Sequence, residues 1–226
     1  VAGHEIAGTV AALGVGVTGI EVGARVVVEP FIGCGRCYPC RQGKTNCCAN
    51  LRTIGVHMPG GYADYVTAPI SHVHRVLDNL AMFEATFTEP VAIGVQACRR
   101  AEVGAEFVLV LGCGPIGLAL IEVARARGAT VVATDIIPTR LEVARQLGAE
   151  TLLADDTLLD AIMQRTNGEG APVVIEATGN VKAMESTVDL VAAGGRICIV
   201  GLVKRGTMIS LPGLDLTRKE ITLVGS

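Results

Sequence analysis

The 226-residue sequence lacks tryptophan altogether, and only 3% of its residues are aromatic. It also lacks a basic cluster, and its net charge of −3 argues against a nucleic-acid-binding protein. The apolar stretch FVLVLGCGPIGLALIEVA is interrupted by glycine and proline, so no membrane-spanning segment is expected. No charged region leads into an apolar core at the start, as a secretory signal requires. We therefore expect a cytoplasmic protein that binds neither nucleic acid nor membranes.

Half of the residues are apolar and 28 are glycine, a mixture typical of layered α/β structures. The chain opens on VAGHEIAGTV and stops after EITLVGS, and both runs read as the interior of strands. We therefore expect a segment of a longer polypeptide, truncated at both ends. The residue pattern changes near residue 80, which predicts two domains, 1–78 and 79–226.

The first domain is predicted to be rich in β-strands. EIAGTVAALG and ARVVVEP are apolar runs separated by glycine, and GGYADYVTAP alternates as a further strand would. A cysteine-rich loop interrupts the series. The pattern favours a small barrel or sandwich that carries an excursion.

The second domain is predicted to alternate apolar strands with amphipathic helices. The run EATFTEPVAIGVQACRRAEV has helical spacing, with Pro90 where a first-turn proline is tolerated. The predicted strands are EFVLVLG, TVVATD, PVVIEA, RICIVG and EITLVG, and the later helices are GPIGLALIEVARARG, PTRLEVARQLG and VKAMESTVDLVAAGG. Gly128 and Gly148 follow two of these helices, where left-handed caps belong. Repeated β-α-β units predict a doubly wound parallel sheet.

A glycine turn, VLVLGCGPIGL, joins the first of these strands to its helix. Gly112, Gly114 and Gly117 have the spacing that lets a backbone approach a pyrophosphate at a helix N-terminus. Glycine-rich turns are common in α/β chains, so this spacing alone is weak. Asp135 ends the next strand 18 residues beyond Gly117, where a carboxylate can accept both ribose hydroxyls and repel a 2′-phosphate. The combination predicts a dinucleotide site that favours NAD over NADP. Arg140 could reach an adenosine, or be an ordinary solvated helix residue.

Five of the eight cysteines lie within residues 33–48. The spacing Cys34-x2-Cys37-x2-Cys40-x7-Cys48 suits a closed tetrahedral zinc site, which is structural because no position is left for a substrate. Disulfides fit an odd cluster without a secretory signal poorly, and iron–sulfur proteins use different spacing. Cys47 is the spare fifth cysteine, and it could exchange roles with Cys48. The isolated Cys98, Cys113 and Cys198 are predicted to be core residues.

A second candidate metal site involves GHE at residues 3–5 and TEP at residues 88–90. Catalytic zinc needs three protein ligands and an open position. His4 and Glu5 are adjacent, so in an extended strand they would face opposite ways, and a bend near Gly3 is needed to aim both at one centre. By itself such a pair means little. His57 is a candidate for the same cleft or a loop histidine without function, and His72 and His74 read as surface positions.

Six stretches carry a family resemblance, in a fixed order along nearly the whole chain. They are GHEIAGTV, the four-cysteine loop, GGYADYV, TEPVAIGVQACRRAEV, VLVLGCGPIGL and TDIIPTRLEVARQLGA. Together they resemble the zinc-containing medium-chain dehydrogenase/reductase family, and EPVAIGVQACRR and ATDIIPTRL are especially similar to its polyol dehydrogenase branch. The resemblance implies a GroES-like β-barrel domain with a zinc lobe, here truncated, followed by an NAD-binding Rossmann domain.

The resemblance also implies roles for individual residues. The implied ligands of a catalytic Zn²⁺ are His4, Glu5 and Glu89, and those of a structural Zn²⁺ are Cys34, Cys37, Cys40 and Cys48. The implied NAD contacts are Gly112, Gly114, Pro115, Ile116, Gly117, Asp135, Arg140, Thr178, Val200 and Gly201. In the family a cysteine ligand and a proton-relaying hydroxyl precede GHE, and a C-terminal segment completes the catalytic domain. This chain contains none of these, so we expect the segment alone to be inactive.

The implied reaction is hydride transfer from a polyol or secondary alcohol to NAD, with Zn²⁺ lowering the pKa of the substrate hydroxyl. The resemblance further implies a homodimer or homotetramer, with EITLVG as the strand edge that pairs between subunits. Threonine-type and butanediol-type dehydrogenases share most of these motifs and are rivals on substrate. A non-catalytic, zinc-stabilised NAD-binding protein is a rival of another class. Glu5, Glu89 and the cysteine loop argue against a zinc-independent quinone reductase.

Overall fold

The structure is a computed structural model that describes all 226 residues. The residues form two compact units, Val1–Glu89 and Pro90–Ser226. The sequence pattern places the change after residue 78, eleven residues earlier. None of the helices has the length and apolar character that crossing a membrane requires.

The first unit contains two small antiparallel sheets. Its strands are β1 (Ile6–Thr9), β2 (Arg25–Val28), β3 (Phe31–Ile32), β4 (Arg52–Thr53) and β5 (Val73–Arg75). One sheet has the order β1-β2-β5, and β3 pairs with β4 in the other. The unit therefore has the β-rich character that the sequence predicts.

Only short helical pieces accompany these strands. They are α1 (Tyr38–Arg41), α2 (Met82–Ala85) and 3₁₀ turns at Thr45–Cys47 and Ile70–His72. Helix α1 and the first 3₁₀ turn lie between β3 and β4, and together they form the cysteine-rich excursion. An isolated four-residue helix is unstable in water, so other interactions must hold this excursion in shape.

The strand predicted for GGYADYVTAP is wrong, because residues 60–69 contain no strand. The amides of Gly61 and Tyr62 donate instead to the carbonyl oxygens of Gly3 and Ala2, at 2.9 and 3.0 Å. The alternation in the sequence has another cause. Residues 66 and 68 are apolar because both pack against the small core formed by Ile6, Val28 and Ile54.

The second unit is a single parallel sheet of six strands with helices on both faces. Its strands are β6 (Phe107–Leu111), β7 (Thr130–Asp135), β8 (Glu150–Leu153), β9 (Ala171–Glu176), β10 (Val191–Ile199) and β11 (Thr222–Gly225). Its helices are α3 (Thr88–Arg100), which begins two residues before the unit, α4 (Pro115–Ala126), α5 (Pro138–Gln146), α6 (Leu158–Arg165), α7 (Val181–Leu190) and α8 (Gly213–Arg218). The order β11-β10-β9-β6-β7-β8 is doubly wound, which confirms the predicted sheet.

The structure differs from the prediction in two respects. The sequence pattern predicts neither strand β8 nor helices α6 and α8. The sequence pattern places VAAGG at the end of a helix. In the structure β10 begins at Val191, and its pairing with β9 shifts register before Arg196. The left-handed caps are confirmed, since Gly128 and Gly148 have φ of +89° and +82°.

Both faces of the sheet are buried, because successive residues of each central strand point to opposite sides. In β6, Val108 and Val110 belong to one apolar cluster with Leu120 of α4. Leu109 and Leu111 belong to a second cluster on the other face, with side chains of α6 and α7. The continuous apolar strands in the sequence follow from this double burial.

Replacement of Leu109 by alanine tests how strongly the stability of the sheet depends on this core. Leu109 is fully buried in a central strand, so Leu109→Ala should lower the free energy of unfolding by about 2–5 kcal/mol. Leu223→Ala on the edge strand β11, where 41% of the residue is exposed, should cost about 0.5 kcal/mol or less. Urea unfolding followed by circular dichroism measures both. Equal losses in the two variants would contradict the assigned core.

Candidate functional site

The four predicted cysteine ligands lie together in the excursion of the first unit. The Sγ atoms of Cys34, Cys37, Cys40 and Cys48 all lie within 4.8 Å of one another. Helix α1 brings Cys40 back toward Cys37, and the 3₁₀ turn at Thr45–Cys47 returns the chain so that Cys48 completes the group. The structure thus gathers four thiols from one short loop.

The spacing of these sulfurs fits a tetrahedral metal site. The Sγ atoms of Cys37 and Cys48 are 3.7 Å apart. Four thiolates at about 2.3 Å from a central Zn²⁺ would have their sulfurs about 3.8 Å apart. A disulfide requires about 2.05 Å, and all eight cysteines are free thiols. The donor set therefore fits zinc.

Backbone amides around the cluster favour thiolates, the form that binds metal. The amides of Cys34 and Asn50 donate to Cys48 Sγ at 3.2 and 3.3 Å. Hydrogen bonds from the amides of Arg36 and Cys37 lower the pKa of Cys34 to about 6. Desolvation and the neighbouring thiols instead raise the pKa of Cys40 to about 12. The loop thus favours the thiolate form of Cys34, whereas a bound cation would be needed to stabilise the thiolate form of Cys40.

The fifth cysteine of the loop lies outside this group. Cys48 is buried with its sulfur in the cluster, whereas Cys47 is exposed within the 3₁₀ turn. The sequence leaves open whether Cys47 or Cys48 completes the cluster, and the structure places Cys48 there.

A second donor group forms at the start of the first unit. His4, Glu5 and Glu89 place their ligand atoms within 4.8 Å of one another, although Glu89 is 84 residues from Glu5. One imidazole and two carboxylates suit a divalent cation that keeps open positions for other ligands. This group differs in chemistry from the closed set of four thiols.

A bend before β1 allows neighbouring residues to converge. Gly3 has φ of +100°, and Glu5 lies in a bend that ends where β1 begins at Ile6. The hydrogen bonds from Gly61 and Tyr62 to the carbonyls of residues 3 and 2 hold the bend in place. The GGY motif therefore serves as a backbone clamp on the segment that precedes His4.

Glu89 enters the group from the first turn of α3. Burial raises the pKa of this carboxyl group, the nearby carboxylate of Glu5 raises it further, and His4 opposes the shift. Glu89 thus holds its proton to higher pH than an exposed glutamate does. A bound cation would oppose that shift by favouring the carboxylate.

The predicted glycine turn joins β6 to α4 in the second unit. A Cβ atom on Gly117 would lie 1.8 Å from the carbonyl oxygen of Gly112, so only glycine permits this closely packed turn. A Cβ on Gly114 would meet nothing within 4 Å, which leaves open space at the start of α4. Pro115 occupies the first turn, and Ile116 follows it. The open helix N-terminus fits the phosphates of a dinucleotide.

Asp135 lies beside this turn at the end of β7. Only 6% of it is exposed, and its two oxygens accept hydrogen bonds from the amides of Cys113 (2.8 Å) and Ile137 (2.9 Å). Arg140 lies with its Nη1 3.7 Å from Asp135 Oδ2. These hydrogen bonds hold the carboxylate at the carboxyl ends of the adjacent strands β6 and β7. The sequence pattern predicts a ribose contact at this position.

The three remaining predicted cofactor residues gather around one residue that the sequence reading missed. Thr178 donates through both its amide and its hydroxyl to Glu176 Oε1. The amides of Val200 and Gly201 donate to the carbonyl oxygen of Glu176. The only signal in the sequence is an acidic residue at the end of the buried strand PVVIEA.

The other histidines take no part in either donor group. The ring Nδ1 of His57 accepts from the amide of Thr53 at 3.0 Å and closes a turn. His72 lies in a 3₁₀ turn, and the exposed His74 is 3.8 Å from Glu29.

The isolated cysteines are confirmed as core residues. Cys98, Cys113 and Cys198 belong to one buried cluster. Burial raises the pKa of these thiols to about 11, 12 and 11, respectively. Such thiols are poor nucleophiles at neutral pH.

Comparison with known proteins gives matches over both units. Residues 1–78 match the family described as alcohol dehydrogenase GroES-like domain, and residues 115–226 match the family described as zinc-binding dehydrogenase. The L-galactonate-5-dehydrogenase of Escherichia coli K12 is 39% identical over 229 residues, which are 100% of this chain and 66% of the relative. The sorbitol dehydrogenase of Arabidopsis thaliana is 36% identical over 236 residues, 100% of this chain and 64% of the relative.

A solved structure has the same fold. An alcohol dehydrogenase from E. coli CFT073, crystallised with NADH, superimposes with a TM-score of 0.93 at 30% identity. The match covers 100% of this chain and 67% of that chain. The present chain therefore spans about two thirds of the length of the relatives that it matches.

Metal content should distinguish the two neighbouring cysteines of the loop. Cys48→Ser removes a sulfur from the cluster, so the protein should lose one equivalent of tightly bound zinc. Cys47→Ser changes an exposed thiol outside the cluster and should retain that equivalent. Mass spectrometric metal analysis after dialysis against a weak chelator measures both. Equal zinc content in the two variants would contradict the assignment of Cys48.

Proposed function

The chain belongs to the polyol dehydrogenase branch of the zinc-containing medium-chain dehydrogenase/reductase family, and on that premise we propose that the whole protein oxidises a polyol or another secondary alcohol with NAD. The observation that carries the proposal is the coexistence of two donor groups with different chemistry in the first unit. One is a closed set of four thiols, and the other is an open set of His4, Glu5 and Glu89. We assign residues 1–78 to the catalytic domain and residues 79–226 to the NAD-binding domain.

In this proposal the cysteine loop is structural. Four sulfur ligands leave no coordination position for a substrate, so Cys34, Cys37, Cys40 and Cys48 would brace the excursion between β3 and β4. The short helix and the 3₁₀ turn in that excursion bury no residue of their own. A metal would therefore supply the stability that packing does not.

The second donor group would provide the reactive centre. A bound Zn²⁺ supplies Lewis acidity that makes a substrate hydroxyl easier to deprotonate. His4 would hold the ion through an imidazole nitrogen, and Glu5 would bind it or orient the substrate. Glu89 is suited to proton exchange, because its half-buried carboxyl group lies beside His4 and Glu5 at the proposed metal site.

The second unit would bind the dinucleotide. The open space at Gly114 and the N-terminus of α4 suit the pyrophosphate, and Pro115 and Ile116 line that turn. The fixed carboxylate of Asp135 suits the two ribose hydroxyls and would repel a 2′-phosphate. We therefore propose NAD as the preferred cofactor, with Arg140 beside the adenosine.

We further propose that the protein is cytoplasmic and forms a homodimer or homotetramer. Free cysteines and a thiolate zinc site suit a reducing compartment. Strand β11 pairs with β10 on one side only, so its other edge is available to a second copy.

Replacement of Gly114 tests the dinucleotide site. Gly114 has φ of −71° and open space at its Cβ position, so Gly114→Ala should leave the unfolding midpoint unchanged or slightly raised. The added methyl group should lower NAD affinity about 10-fold, because it fills the space for the pyrophosphate. Gly213→Ala, which also meets nothing within 4 Å, should leave the affinity unchanged. Isothermal titration calorimetry measures the NAD affinity of both variants. If Gly114→Ala binds NAD as tightly as Gly213→Ala and the parent protein do, the proposed site is refuted.

Steady-state kinetics on the protein expressed from its complete reading frame test the activity. We expect NADH formation with polyols, and a lower kcat/KM with NADP⁺ than with NAD⁺. Glu89→Gln should lower kcat/KM by about 10²-fold, since it removes a group that exchanges protons at the metal. The panel includes sorbitol, 2,3-butanediol and threonine, because the rival dehydrogenase types differ in substrate. No turnover of any of these alcohols, with zinc and NAD bound normally, would favour the non-catalytic alternative.

A further inference from the structure

Glu176 is a completely buried acidic residue at the carboxyl end of β9. Its Oε1 accepts hydrogen bonds from the amides of Thr178 (2.7 Å) and Gly179 (3.1 Å) and from the hydroxyl of Thr178. A carboxylate with no exposure is costly unless its surroundings supply such donors. The side chain therefore organises the loop that follows its own strand.

The main chain of the same residue organises a second loop. The carbonyl oxygen of Glu176 accepts from the amides of Val200 (2.9 Å) and Gly201 (3.0 Å), which follow the neighbouring strand β10. One residue thus fixes two segments, 177–179 and 200–201. Both lie at the carboxyl ends of parallel strands, the edge where ligands bind in doubly wound sheets.

The first of these loops also contacts the glycine turn. A Cβ atom on Gly112 would lie 2.8 Å from Thr178 Cγ2. Strands β6 and β9 are neighbours, and the strand order reverses between them. Thr178 therefore lies at the switch point of the sheet, next to the turn assigned to the pyrophosphate.

The second carboxylate oxygen of Glu176 has no hydrogen-bond partner, although it is buried. A Cβ atom on Gly201 would lie 2.5 Å from this Oε2, so a larger residue would have to displace the carboxylate. Buried polar atoms without partners are rare and costly, so each of them requires a structural explanation. The fold keeps an unpaired oxygen here, although the other oxygen of the same carboxylate accepts three hydrogen bonds.

We propose that Glu176 is a positioning residue that holds Thr178 and Gly201 against the nicotinamide half of the bound dinucleotide. This inference rests on the proposed function, because it requires that NAD binds to the second unit. Glu176 acts through the two loops that follow β9 and β10, whereas the glycine turn and Asp135, which follow β6 and end β7, serve the adenosine half. Its loss should therefore weaken binding of NAD but not of ligands that lack nicotinamide.

A comparison of NAD with ADP tests this division. Glu176→Ala removes the acceptor at Oε1 and should lower NAD affinity about 10-fold in calorimetry, while ADP affinity stays within about 2-fold of the parent protein. Glu176→Gln keeps an acceptor oxygen and should restore most of the NAD affinity. Glu122→Ala, an exposed glutamate on α4, should change neither ligand.

The outcomes separate the two hypotheses. A parent protein that binds ADP but not NAD, or neither ligand, would refute the proposed function itself. A parent protein that binds NAD, with a Glu176→Ala variant that binds it equally well, would overturn only the role of Glu176. Equal losses for ADP and NAD would also overturn it, because they would show a general structural role.

A second pair of variants covers the case in which Glu176→Ala does not fold. Thr178→Val keeps the shape of the side chain but loses the hydroxyl that donates to Glu176, whereas Thr178→Ser keeps the hydroxyl. NAD affinity should fall several-fold in the valine variant and recover in the serine variant, with ADP affinity unchanged in both. Similar NAD affinities in the two variants would contradict the proposal.

Discussion

Direct pairing of β6 with β9 is the constraint on which the second unit depends. Strands β7 and β8 lie on one side of β6 in the sheet. The chain then crosses to the other side of β6, where β9, β10 and β11 follow in order. At the reversal, the loops after β6 and β9 lie side by side, and Thr178 packs against Gly112. Asp135, the last residue of β7, and Val200, which follows β10, reach the same edge because β7 and β10 flank this pair. Residues far apart in the sequence thus converge because parallel strands end together.

The first unit is held together by different interactions. Its buried apolar cluster contains only Ile6, Val28 and Ile54, with a few partly buried neighbours. The order of its loops therefore depends on polar and metal-binding groups. The clamp of residues 61 and 62 on residues 2 and 3 fixes the bend before β1, and the four thiols close the excursion between β3 and β4. The unit that would bind zinc is thus also the unit with the smaller core.

Local pattern predicted the parts of the fold in which burial is uniform. TVVATD coincides with β7 because that strand is covered on both faces, whereas the half-exposed strand β8 at the edge of the sheet gave no comparable signal. The cysteine cluster followed from spacing within one loop. The proximity of His4 and Glu89 cannot be predicted from any periodicity in the sequence, and only the family resemblance indicates it. The environment of Glu176 was missed because its contacts with residues 200 and 201 form only when two strands pair.

The exposure of Cys47 has a practical consequence. The other four cysteines of the loop form the proposed metal site. Cys98, Cys113 and Cys198 lie in the core, where burial raises the pKa of each thiol. When a metal occupies that site, Cys47 is the one sulfhydryl of these 226 residues that is open to alkylation. A maleimide fluorophore would attach at a single site, one residue from Cys48, and its emission would report the opening of the loop in real time.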